Sequence, residues 1–75
     1  MQINDAVAQV LRELRQQKGI SQEKLADAIG SHQVYISEIE NGKKTPSLTI
    51  LYNTARFYNL SLSEIASLIE NKINL

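Results

Sequence analysis

The stretch SQEKLADAIGSHQVYISEIENGKKTPS, Ser21 to Ser47, carries two short helical patterns separated by a break. In the first, Leu25, Ala26 and Ile29 share one helix face, behind Ser21 as N-cap and with Glu23 in the first turn. Gly30 ends this helix because it accepts a left-handed backbone without steric cost. Gly30, Ser31 and His32 fill the break, and the pattern resumes at Gln33 and runs to about Glu40. Ile36 and Ile39 point inward there, and Asn41-Gly42 closes the helix. Lys43, Lys44, Thr45 and Pro46 then form a loop that cannot continue it.

Outward from this stretch the chain continues in helical periods. Upstream, Asn4 or Asp5 is placed to cap a first helix whose Val7, Val10, Leu11 and Leu14 fall at i, i+3, i+4 and i+7. Gly19 stops that helix, and Lys18 suits the negative end of its dipole. Downstream, Ser47 caps a fourth helix through Tyr58, with Leu48, Leu51, Ala55 and Tyr58 on one face, and Asn59 ends it. Ser61 and Glu64 form a capping box for a fifth helix running to about Lys72, with Leu62, Ile65 and Ile69 inward. No segment alternates with period two. The expectation is an all-α, compact five-helix domain occupying residues 1–75, without strands, repeats or a linker.

Composition removes several classes of function. The chain has 75 residues, no Cys and one His, so neither a disulfide framework nor a His/Cys metal-ligand set is available. A domain this size buries only roughly 60–65% of its unfolded surface, so association with a second copy would add to a thin margin. No apolar run reaches the ~18 residues of a membrane span, and no basic-then-apolar leader opens the chain. The expectation is a cytoplasmic protein with no membrane partner and no cofactor. Eight Lys/Arg balance eight Asp/Glu, which weighs against broad phosphate attraction. Distribution matters more than the sum. Arg12, Arg15 and Lys18 cluster late in the first helix, and Lys43 and Lys44 are adjacent, while Glu64 and Glu70 lie in the C-terminal quarter.

Two helices joined by a turn of about three or four residues containing Gly correspond to the helix-turn-helix unit, whose second helix enters the DNA major groove. The residues also resemble the Cro/cI-type (Xre-type) helix-turn-helix regulators of phages and bacteria, from about Val10 to Ile65. The resemblance is carried by Ser21-Gln22-Glu23, Leu25-Ala26, Gly30, Ile36-Ser37-Glu38-Ile39-Glu40-Asn41-Gly42, Pro46-Ser47-Leu48, Leu51, Ala55 and Ser61-Leu62. The short chain is also similar to the controller proteins of restriction-modification systems, which are compact dimers of this fold. The fold implied is that of lambda-repressor-like DNA-binding domains.

The resemblance implies a role for each exposed residue of the motif. It places the helix 33–40 in the major groove, where Gln33, Val34, Ser37 and Glu38 would face bases. Gln can bond adenine at N7 and N6, Val can pack on a thymine methyl, Ser can serve either partner, and Glu can accept from cytosine N4. For Glu38 the competing reading is a solvated helix face, since phosphates repel a carboxylate. Gln22, His32, Tyr35, Asn41, Lys43 and Lys44 are the expected phosphate contacts, Gln22 through its place at a helix N-terminus. His32 stands where the family often has a capping Ser or Thr. Tyr35 replaces a small residue, so its hydroxyl reaches a phosphate or its ring packs on the helix edge. Arg15 and Glu40 match positions that form a structural ion pair in relatives.

Ile50, Tyr52, Phe57, Leu68, Ile73 and Leu75 lie off the faces assigned to the core, and exposed apolar surface marks an interface. Phe57, Leu68, Ile69, Ile73 and Leu75 are therefore the expected dimer contacts, with the C-terminal helix, about 62–72, contributing most. A two-fold homodimer would hold two recognition helices about 34 Å apart on double-stranded DNA and read a pseudo-palindrome. The expected function is a sequence-specific transcriptional regulator of bacterial or phage origin, touching RNA polymerase if it activates. The alternative is an antitoxin or anti-repressor type of interaction module that has lost DNA binding. No nucleophile, base and acid are grouped and no Gly-rich phosphate loop is present, so an enzyme is not expected.

Overall fold

The computed structural model describes residues 1–74, and the interface expectation for Leu75 lies outside them. Five helices follow in order: α1 Ile3–Lys18, α2 Gln22–Ile29, α3 Gln33–Glu40, α4 Leu48–Phe57 and α5 Leu62–Ile73. Among the described residues there is no strand, and no helix is long and apolar enough to cross a membrane. The all-α architecture expected from the periodicity is the one found.

Most helix ends follow the local chemistry. Ser21, Ser47 and Ser61 accept hydrogen bonds from the backbone N–H of Lys24, Ile50 and Glu64 at 3.0, 3.1 and 3.0 Å. Glu64 Oε1 accepts in return from the Ser61 N–H at 2.8 Å, completing the capping box. Those bonds hold the Glu64 carboxyl below the usual carboxylate range. The turn between α2 and α3 depends on Gly30, whose φ of 73° lets the Ser31 N–H reach the Ala26 carbonyl at 2.8 Å. α1 departs from expectation. It begins at Ile3 with extended Gln2 as N-cap and no side-chain cap, so neither Asn4 nor Asp5 caps it. The Asn4 side chain instead accepts from Thr45 Oγ1 at 2.6 Å, tying the start of α1 to the loop after α3. Asp5 lies in the first turn, where the helix dipole favours it.

The apolar side chains form two clusters. Ala6, Val7, Val10 and Leu11 of α1 pack with Ile39, Ala55, Ile65 and Ile69. Leu25, Ala26 and Ile29 of α2 pack with Ile36, flanked by Ile20, Ile50, Phe57 and Tyr58. Ile36 and Ile39 sit in different clusters, so α3 is wedged between α1 and α2 and cannot slide without disturbing both.

Four apolar residues are placed differently from the sequence reading. Leu48, expected inward, is the first residue of α4 and is 69% exposed. Thr54 is buried on that helix instead, its hydroxyl donating to the Ile50 carbonyl at 2.7 Å. Phe57 and Ile50 are half-buried against the second cluster, and Ile73 against the first. Of the supposed surplus, Tyr52 and Leu68 remain exposed. Ile69 belongs to the core, at 6% exposure.

Urea unfolding checks this division. Ile39→Ala should cost about 2–5 kcal/mol through lost burial and a residual cavity. Leu48→Ala should change stability by less than about 0.5 kcal/mol, as expected for a surface site.

Candidate nucleic-acid interface

The N-termini of α2 and α3 meet, and each opens with Gln. Gln33 Nε2 donates to Gln22 Oε1 at 2.8 Å, and Gln22 Nε2 donates to Glu40 Oε1 at 3.1 Å. Glu40 is 3% exposed and could not stay charged there unpaired. Arg15 supplies the counter-charge in a two-pronged contact, Nε to Oε2 at 2.7 Å and Nη2 to Oε1 at 3.0 Å. Its Nη1 donates to the Ile20 carbonyl at 2.8 Å, which joins the α1–α2 turn to the same centre. Hydrogen bonding to Glu40 raises the Arg15 pKa further. Arg12 adds a bond from Nη2 to the Glu40 backbone carbonyl, a cation at the negative end of α3. A continuous polar chain therefore runs from α1, under α3, to the surface at Gln33.

The outer face of α3 carries the rest. Gln33, Val34 and His32 are exposed, Val34 at 66%, while Ser37 and Glu38 are half-buried. His32 occupies the N-cap in extended conformation without a side-chain capping bond, as an imidazole in a Ser/Thr position would. Asn41 is exposed at the C-cap, and Lys43 and Lys44 are exposed in the loop. The Glu38 carbonyl accepts from the N–H groups of Lys43 and Lys44 at 2.9 and 3.3 Å, which folds the loop back on the helix. Lys44 Nζ lies 3.4 Å from Glu38 Oε1. This exposed pair contributes at most about 1 kcal/mol, but it offsets the Glu38 charge beside any phosphate.

Two residues have structural contacts of their own. The Tyr35 ring packs on the first core cluster, and its hydroxyl oxygen accepts from the Ser47 N–H at 3.2 Å. Tyr35 thereby joins α3 to the start of α4. Phe57 makes an edge-to-face contact with Tyr58, ring centroids 5.1 Å apart. The Gln22–Glu40 bond and the Arg12 contact are absent from the sequence reading. The Arg12 contact has no signal there, and for the Gln22–Gln33 bond the only signal is that each residue follows an N-cap, which puts both at helix N-termini.

Tyr58 faces the Arg15–Glu40 centre from α4. Its hydroxyl is buried and, among the described residues, finds no hydrogen-bonding side chain or backbone group. Burial first, then the Glu40 charge, pushes its pKa from 10.0 to about 12. The unfolded chain loses this proton near 10 while the folded chain keeps it, so stability falls as pH rises between these values. Alkaline unfolding followed at several pH values should show that phase, and Tyr58→Phe should lose it. Arg15→Ala strands the buried carboxylate and should cost about 3–5 kcal/mol, more than Arg12→Ala, which removes one bond to a backbone carbonyl.

The helix-turn-helix family model matches residues 11–65 of this chain. The regulator PuuR of Escherichia coli, named as an HTH-type transcriptional regulator, is 42% identical over 57 residues. The match spans 76% of this chain but 31% of PuuR, about a third of that relative's length. The restriction-modification controller protein C.AhdI of Aeromonas hydrophila superposes with a TM-score of 0.76 at 34% identity, covering 83% of this chain and 94% of its own. The clp gene regulator ClgR of Corynebacterium glutamicum has the same fold, with a TM-score of 0.89 at 24% identity, covering 99% of this chain and 79% of its own. Matched helices, turn and spacing place this chain in the Xre-type helix-turn-helix family of transcriptional regulators.

Proposed function

We infer that the protein is a sequence-specific DNA-binding regulator that reads a pseudo-palindromic operator as a homodimer, with α3 in the major groove. The observation that carries this reading is the bond between half-buried Gln22 and exposed Gln33, where two helix N-termini meet, held from beneath by Glu40. Gln33 would meet a base edge, with Val34 and Ser37 beside it on the same helix. Gln22 keeps one amide N–H for a phosphate, next to the free backbone N–H groups of the α2 N-terminus. Asn41 and Lys43, with His32 at the other end of α3, are the remaining phosphate candidates. Lys44 and Glu38 act as a pair, so Glu38 either accepts from a cytosine or shields the loop.

Homodimerisation is supported by Leu68, 39% exposed on α5. The half-buried Phe57 and Ile73 would contribute only their outer edges, and Ile69 would act through the core behind them. Two copies related by a two-fold axis would present paired recognition helices to successive major grooves. Such a protein works on DNA in the bacterial cytoplasm. The position of its operator decides whether it represses or, by touching RNA polymerase, activates.

A gel-shift titration at ~100 mM salt, on DNA upstream of its own gene and on DNA selected from a random pool, tests the reading. A sequence-preferring complex is expected. Its absence would support the interaction-module alternative, which the zero net charge favours. Gln33→Ala should lose about 1–3 kcal/mol and relax one operator position. Lys43→Ala should weaken binding on all sequences and lower the salt slope by about one. Lys44→Ala should do less, because its charge is already offset by Glu38.

A further inference from the structure

We propose that Glu40 is a positioning residue for base recognition: its buried carboxylate fixes which way the Gln33 amide faces, and thereby selects adenine over guanine. The proposal rests on the DNA reading above and extends it to a residue that touches no base. A carboxylate paired with a guanidinium offers only acceptors. The Gln22 atom 3.1 Å from Glu40 Oε1 therefore has to be the amide nitrogen. That turns the Gln22 carbonyl oxygen toward Gln33, which must meet it with its own nitrogen, at 2.8 Å. What remains on the outward side of Gln33 is one acceptor, Oε1, and one N–H.

An acceptor beside a donor is the complement of adenine, whose N6 amino group donates and whose N7 accepts in the major groove. Guanine presents two acceptors there, N7 and O6, and would set O6 against Gln33 Oε1. A free glutamine can turn its amide over and offer two N–H groups, so Gln33 by itself does not choose. The choice is made at Glu40, whose side chain is 4% exposed and is held by two bonds from Arg15. A charge buried beneath α3 thus reaches a base through two amides.

The test is selection of bound DNA from a random pool by four chains: wild type, Gln33→Ala, Glu40→Gln and the double variant Glu40→Gln/Gln22→Glu. Competition binding with A or G follows at the position that Gln33→Ala relaxes, at a temperature where thermal unfolding shows every variant folded. The wild type should favour A by about tenfold or more, as a bidentate contact does. In Glu40→Gln the amide oxygen stays on Arg15 and its nitrogen turns to Gln22, reversing each bond of the chain. Gln33 then offers two N–H groups, and the A/G ratio should fall to near one or invert. In the double variant the new carboxylate at position 22 accepts from both neighbours, so Gln33 regains its orientation. The preference for A should return even though phosphate repulsion lowers affinity.

A purely structural role for Glu40 would weaken binding at all positions alike, whereas the relay moves the ratio at one. Gln22→Leu cuts the chain without touching the ion pair and should lower the same ratio, which keeps the test available if Glu40→Gln does not fold. The relay is overturned by an unchanged ratio in folded Glu40→Gln or Gln22→Leu, or by failure of the double variant to restore it. A wild-type preference for another base at that position, or no position relaxed by Gln33→Ala, overturns it equally while leaving DNA binding in place. If the wild type forms no sequence-preferring complex, both the DNA reading and the relay fall.

Discussion

The carboxylate of Glu40, buried under the C-terminus of α3, has to be neutralised and hydrogen-bonded, and the way this is done ties three helices together. Arg15 reaches it from α1 with two N–H groups and uses a third on the Ile20 carbonyl before α2. Gln22 reaches it from the first turn of α2. Desolvation consumes most of the Coulombic gain of such a pair, so it adds little net stability compared with an apolar replacement. Its consequence is geometric. With both partners present the relative placement of α1, α2 and α3 is fixed, and with one removed a charge is stranded in the core.

The apolar packing constrains the same helix from its other side. Ile36 enters the cluster built on α2, and Ile39 enters the cluster built on α1 and α5. α3 has only eight residues and no side-chain cap from His32, so it would be marginal alone. Two inward isoleucines, the Arg12 and Arg15 contacts at its end and the Tyr35–Ser47 bond hold it in place. Gln33 and Val34 on its outer face stay exposed, so neither is needed for packing.

Zero net charge is compatible with a DNA-facing surface because the charges are not evenly distributed. Arg15 is neutralised internally, and Lys72 pairs with Glu13 at 3.1 Å between α5 and α1, so neither is free for phosphate. Among the cations near α3, Lys43 has no carboxylate partner among the described residues, and Lys44 pairs with Glu38. Arg12, Lys18, Lys24, Lys43 and Arg56 are exposed and form no ion pair among the described residues, so zero net charge still leaves unpaired cations on the surface.

Helix number, approximate bounds and the helix-turn-helix spacing were legible in the sequence, because apolar period, Ser caps and Gly stops act within a few residues of one another. Ser61 with Glu64, and Gly30 after Ile29, needed no tertiary information. The start of α1 was not legible, because Asn4 is drawn away from capping by Thr45, 41 residues on. Nor was the division of surplus apolar residues into exposed Leu68 and half-buried Phe57, since a helix face is inward only relative to what packs on it. The same holds at the candidate site. The place of Gln22 and Gln33 in the helix-turn-helix pattern suggested DNA contact, but their bond to each other and to Glu40 exists only once three helices converge. Short-range chemistry in the sequence determined the elements and the surface they offer. The direction in which that surface faces and the orientation of its amides were decided by a buried charge, which acquires partners only in the folded chain.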